Sequence, residues 1–159
     1  MNGRFEWGKL SAIVGAPGSG KSSLLHALGA QYVGSGADIG GSICYDDKPL
    51  DETLLPWQQC GFVEAIDEHF RDLSVKDVLT YAMQLRCIDT SRLVHVCVLR
   101  FWANCIGVFS VEDIKTKDLT SGQLRRLSIG EEIVHGPNLI CLDEPITDLD
   151  ERETSTIMT

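Results

Sequence analysis

The stretch Gly15-Ala16-Pro17-Gly18-Ser19-Gly20-Lys21-Ser22-Ser23 sets three glycines, one lysine and three serines within nine residues. Glycine lets the backbone curl until several N–H groups face one point, and lets an oxyanion approach without a Cβ in the way. The spacing G-x-x-x-x-G-K-S is that of a loop that cradles phosphates. Lys21 then supplies a mobile cation for the terminal phosphates of a nucleoside triphosphate, and Ser22 a hydroxyl for Mg²⁺. The whole run from Gly15 to Ser23 is the expected binding set.

A second chemical feature closes the run "LICLDE", where Asp143 and Glu144 stand together. Asp143 is suited to hold Mg²⁺ with Ser22, directly or through water. Glu144 is suited to polarise an attacking water as general base. An acidic pair after a strand is also an ordinary strand end; its weight comes from following the glycine loop. A third stretch, "LTSGQLRR", precedes it by about two dozen residues. Thr120 or Ser121 can cap a helix there, and Gly122 can ease the turn into it.

These groups need elements to hold them. "KLSAIVG" reads as a buried parallel strand feeding the glycine loop, and "KSSLLHALG" as the helix after it, ending near Gly29. "GSGADIGGS" is loop. "SICYDDKPL" reads as a strand, a turn at Asp46-Asp47 and a return, and "QCGFVEAI" as a second apolar strand. From Ser74 the spacing of Val75, Val78, Leu79, Ala82 and Leu85 is helical, with Ser74 and Asp77 as a capping box. A further amphipathic stripe runs through Val94, Cys97, Val98, Phe101 and Cys105. Another helix starts near Gly122, and "LICLDEP" is a third buried strand. Strands alternating with helices predict a parallel α/β core with a mostly helical insertion.

The chain has 159 residues and a net charge of −9, which argues against binding along nucleic acid or to acidic lipid. A local cradle of N–H groups and a lysine is compatible with that charge. No apolar run approaches the about 18 residues of a membrane span, and the N-terminus has no signal-peptide pattern. The six cysteines form no CxxC pair, so buried reduced thiols are expected rather than zinc or disulfides. The four histidines lack metal-ligand spacing.

The order of glycine loop, "LTSGQ" and acidic strand resembles the ATP-binding cassette (ABC) ATPases. Their signature loop reads Leu-Ser-Gly-Gly-Gln or close to it and leads into a basic helix; here it stands as Leu119, Thr120, Ser121, Gly122 and Gln123. "PITDLD" is similar to the family's D-loop, with Asp150 at the position that meets a partner. "GFVEAIDEHFRDLSVKDVLTYAMQLR" and "LSIGEEI" look more specifically like the G subfamily, the white and pleiotropic-drug-resistance transporters. The resemblance covers nearly all of the chain.

It implies a RecA-like P-loop NTPase core that binds ATP and Mg²⁺, with Glu144 as the catalytic residue. Residues 1–65 correspond to part of that core, 66–121 to the helical insertion, and 122–159 to the signature helix, the acidic (Walker B) strand and the D-loop. It implies head-to-tail pairing with a second ABC ATP-binding domain, the signature loop of one closing over the γ-phosphate held by the other. It further implies a transmembrane partner domain, a place on the cytosolic face of a membrane, and ATP-driven export. Two other readings stand beside it: a soluble ABC ATPase without a transport role, and a nucleotide-binding protein with little turnover.

Several positions depart from the family pattern. Ala65 stands where the Q-loop glutamine belongs, with Glu64 beside it on the opposite strand parity. Thr120 replaces serine and Ser121 the first glycine of the signature; Asp148 replaces a small residue. No histidine follows His135, and few residues precede Gly15, so the pattern implies an incomplete cassette with slow turnover. Phe5 and Trp7 are expected to pack rather than stack on adenine.

Overall fold

A computed structural model of the chain describes residues 3–31, 40–45, 47–49, 60–86 and 108–146. In chain order these form α1 (Lys21–Leu28), β1 (Cys44–Tyr45), β2 (Lys48–Pro49), β3 (Cys60–Val63), α2 (Val75–Arg86), α3 (Ser121–Ile133) and β4 (Leu139–Leu142). Short 3-10 turns at Phe109–Val111 and Thr116–Asp118 lie between α2 and α3.

β3 and β4 pair in parallel, with Cys60 opposite Leu139 and Val63 opposite Leu142. Parallel neighbours need a long crossover, and α2 and α3 both lie in it. All four residues of β3 are buried. β4 is only half-covered, with Cys141 buried and Ile140 42% exposed, so the expectation of a fully buried strand is corrected there. β1 and β2 form the expected small antiparallel hairpin.

α1 covers the parallel pair, with Leu25 and Leu28 against Cys60, Phe62 and Cys141. Gly29 ends α1 where the expectation put it, and a Cβ at that position would fall 2.7 Å from the Phe62 ring. The Tyr45 hydroxyl donates to the Leu28 carbonyl and ties the hairpin to the end of α1. α3 meets β3 from another side: a Cβ on Gly61 would fall 2.8 Å from the Glu132 carbonyl oxygen. The Phe62 amide donates to the Glu132 carboxylate at 2.9 Å, and Arg86 of α2 pairs with the same carboxylate.

A second core joins α2 to α3. Val75, Val78, Leu79 and Val108 pack with Leu127, and Leu73, Val111 and Leu119 close its edge. The start of α2 is fixed by its predicted capping box: the Ser74 and Asp77 side chains each bond the other's backbone amide. Backbone bonds from Val75 to Ile114 and from Thr116 to Leu73 knit the segment before α3 onto that same turn.

One expected element is absent. Residues 9–15 form no strand, and Leu10 and Val14 are 81% and 91% exposed. Among the described residues, β3 and β4 pair only with each other, so no ladder edge takes up this apolar run. The stripe from Val94 to Cys105, and Asp148 and Asp150, lie outside the described residues.

Candidate functional site

The glycine loop is positioned by α1 rather than by a preceding strand. Gly18 and Gly20 have φ of 76° and 89°, in the left-handed region that glycine enters without steric cost. Gly15 is tightly approached, since a Cβ there would lie 2.6 Å from Ser19 Oγ. The Ser19 amide donates to the Ala16 carbonyl at 3.2 Å and closes the turn. Lys21 begins α1, and its Nζ donates to the carbonyls of Gly15 and Ala16 at 3.1 Å each. No side chain caps α1 at Gly20, which leaves the first-turn N–H groups for an outside acceptor. Residues 15–20 and Ser22 and Ser23 are exposed. Uncapped donors, an open loop and a cation at its mouth fit a phosphate chain.

α1, which follows this loop, lies on the sheet that contains β4, with Leu25 and Leu28 packed against Cys60, Phe62 and Cys141. Asp143 follows β4 directly and is 8% exposed. Its amide donates to the Val63 carbonyl at 2.9 Å, the last rung between the two strands. A nearly buried carboxylate is the donor type that a hard divalent cation takes. Glu144 then leaves the sheet with a φ of 46°. Pro145 disfavours the right-handed helical region for the residue before it, and the left-handed turn carries the Glu144 side chain into an exposed position.

The signature-like residues form the start of α3. Thr120 is the N-cap and accepts the Gln123 amide at 3.2 Å, while the Gln123 side chain accepts the Thr120 amide at 2.9 Å. This capping box fixes the turn locally. It uses the Thr120 hydroxyl as an acceptor. Ser121 is exposed and Gly122 buried.

Sequence reasoning missed the group that links these parts. Arg125 of α3 is 2% exposed. Its Nη1 donates to the Glu64 carbonyl at 2.6 Å and to Asp67 Oδ1 at 3.2 Å. Its Nη2 donates to the Ala65 carbonyl at 2.8 Å and to the Glu144 carbonyl at 3.2 Å. The signal lay in the helical spacing, since Arg125 sits one turn after buried Gly122 on an inward stripe. Position 64 lies past the end of β3, so strand parity does not govern it. The Glu64 carboxylate instead faces His26 at 3.8 Å.

Beside Arg125, Ser128 Oγ donates to Asp67 Oδ1 at 2.6 Å and lies 2.9 Å from His69 Nε2. The other ring nitrogen lies 3.2 Å from the Glu131 carboxylate. A serine has one hydrogen to give; with that hydrogen on Asp67, Ser128 Oγ is placed to accept from a protonated Nε2. Burial works against the charged ring, but Glu131 and, further off, Asp67 outweigh it and hold the His69 pKa above its ordinary value. An open groove of about 470 Å³ runs past this cluster, lined by Ala65, Ile66, Glu68, Ser128 and Glu131 among others.

Residues 1–147 match the family model described as ABC transporter. The chain belongs to the ABC transporter family. Curated relatives include ABC transporter G family member 22 of Arabidopsis thaliana, 34% identical over 157 residues, which are 94% of this chain and 20% of that protein. G family member 5 of the same plant is 30% identical over 154 residues, 94% of this chain and 23% of the relative. The ATP-dependent permease PDR12 of Saccharomyces cerevisiae is 32% identical over 159 residues, 95% of this chain and 10% of the relative. This ABC transporter chain thus spans between a tenth and about a quarter of the length of these relatives, and it is homologous to the ATP-binding domain of the G subfamily. The family's fold is that of the P-loop NTPases, and its members generally are ATPases that bind ATP, typically with Mg²⁺. No helix among the described residues is long and apolar enough to cross a membrane.

Proposed function

We propose that this chain binds MgATP through Gly15 to Ser23 and hydrolyses it with Glu144 as general base. In this reading it acts as one of two head-to-tail domains that drive export by a membrane-embedded partner. The observation that carries the proposal is the loop geometry. Two left-handed glycines, an uncapped helix start and the Lys21 ammonium lie together in one exposed loop.

Each residue then has a task. Lys21 neutralises the terminal phosphates, and the first-turn amides of α1 hold their oxygens. Ser22 and Asp143 are the residues that would hold Mg²⁺, which supplies positive charge to the phosphate oxygens. Glu144 accepts a proton from the attacking water. Leu119 to Gln123 would serve the triphosphate of the opposing domain, with the Thr120 hydroxyl and the start of α3 turned toward it, and Asp150 would meet that domain. Residues 1–65, 66–121 and 122–159 are the proposed core part, helical insertion and signature-to-D-loop part. The transmembrane segments belong to a partner region, which puts the chain on the cytosolic face of the membrane.

Ala65 favours a second reading, a nucleotide-binding domain with little turnover, because its side chain has no polar group and Arg125 takes its backbone carbonyl. MgATP titration together with phosphate release at saturating MgATP separates the two. Binding with turnover that Glu144→Gln abolishes supports the first. Binding without turnover supports the second. No binding removes both.

A further inference from the structure

β3 and β4 run side by side up to the bond from the Asp143 amide to the Val63 carbonyl. Beyond it the two chains part. Glu64 and Ala65 go one way, and Glu144 turns off with its positive φ. The buried guanidinium of Arg125 stands at this fork. It donates to two carbonyls on one branch, Glu64 and Ala65, and to one on the other, Glu144. Its charge is met by Asp67, whose carboxylate Ser128 of the same helix also holds.

We infer that Arg125 is a positioning residue that sets the backbone of Glu144 against the segment after β3 and ties both to the signature helix. It replaces the ladder bond that the diverging strands can no longer make. All four Nη hydrogens are committed, and they point in four directions from one plane. A change in the tilt of α3 is therefore carried to the Glu144 backbone and to position 65 together. The guanidinium touches no reacting atom; it acts through the conformation of Glu144. A lysine at 125 keeps the charge but presents its donors from a single nitrogen, so it cannot span the fork.

The role in turnover rests on the reading of Glu144 as base, whereas the tie itself does not. Hydrogen exchange of the native chain tests the tie without any nucleotide. In Arg125→Gln, amides in the segments 64–67 and 143–146 are expected to exchange about tenfold faster or more, in parallel. Arg125→Lys is expected to fall between that variant and wild type. Leu127→Ala, a truncation in the core shared with α2, supplies a destabilised control on the same helix; it should not favour these two segments. Faster exchange in only one segment, or a pattern matching Leu127→Ala, would overturn the inference. If Arg125→Gln does not fold, Arg125→Lys decides by the same two segments. Where wild type turns over MgATP, Arg125→Lys should lower kcat about tenfold and leave MgATP affinity nearly unchanged. Loss of affinity equal to the loss of kcat would speak for a merely structural role. A wild type without turnover would count against the proposed function and leave the exchange result to decide the tie.

Discussion

The Lys21 ammonium lies 3.1 Å from the carbonyl oxygens of both Gly15 and Ala16. The cation is thus held across its own loop, and in the proposed reading it would exchange these carbonyl partners for phosphate oxygens. Charge-assisted bonds contribute more than neutral ones. Lys21→Ala is expected to weaken MgATP binding by about one to two orders of magnitude. The thermal midpoint should stay close to wild type, because the loop around it is exposed. Calorimetric titration reads the affinity, and an unchanged value would remove this loop from the binding site.

Glu144→Gln separates binding from chemistry. The amide keeps the size of the side chain and loses the base. Its backbone carbonyl accepts from Arg125, a contact the substitution leaves intact. The expected outcome is unchanged MgATP affinity and unchanged unfolding midpoint with phosphate release reduced to background. Surviving turnover in a clean preparation would mean that another group takes the proton.

The His69 ring predicts a pH dependence of stability. Its folded pKa is raised, through Glu131 and then Asp67 against the opposing effect of burial. A raised base contributes stability that is complete below its unfolded pKa, about 6.5. That contribution is lost as pH rises through the folded value. The difference in melting temperature between wild type and His69→Gln should therefore be largest below about pH 6.5 and shrink above it. Parallel melting curves across pH 5.5–8.5 measure it; a constant difference would show that the ring does not titrate as its partners require.

Local features were legible in the sequence and cooperative ones were not. The Ser74–Asp77 box, the start of α3 at Ser121, next to the expected Gly122, and the end of α1 at Gly29 each depend on a few neighbouring residues, and all three formed as expected. The run at residues 9–15 has the composition of a strand, but a strand exists only beside a partner edge, and composition does not report that edge. Arg125 reads in sequence as one more basic residue of a polar helix. Its role depends on where β3 and β4 part, a meeting of segments about 60 residues apart in the chain that no local pattern encodes.

Gly61 shows how closely α3 is set on the sheet. A Cβ there would lie 2.8 Å from the Glu132 carbonyl oxygen and 3.2 Å from its Cβ. A backbone carbonyl in a helix cannot move aside cheaply. Gly61→Ala should cost about 1–3 kcal/mol of unfolding free energy as an overpacked contact. Urea denaturation gives the value directly. A neutral result would mean that α3 can slide on β3, which would also loosen the Glu132 bond to the Phe62 amide.

The last prediction concerns two of the positions at which the chain departs from the family pattern, Ala65 and Ser121. Ala65 is exposed and lines the open groove, and its backbone is held through a carbonyl that does not depend on the side chain. A glutamine there meets no packing obstacle and adds a polar arm beside the Glu144 turn. Ser121 is the first residue of α3 and is exposed; glycine in its place removes a Cβ from the surface that would approach the opposing triphosphate. One positioned hydrogen-bonding group is worth up to about 10²–10³ in rate. Ala65→Gln is accordingly expected to raise phosphate release about tenfold or more, with the melting temperature unchanged. Ser121→Gly should act differently. It should leave the rate at low protein concentration alone and raise it as concentration rises, because it helps two domains close on each other. Effects at one site do not simply multiply, so the double variant should exceed the better single variant by less than the product. Phosphate release against protein concentration, at saturating MgATP, distinguishes these outcomes. If Ala65→Gln leaves the rate where it was, position 65 does not limit the chemistry, and the slow step lies in closure instead.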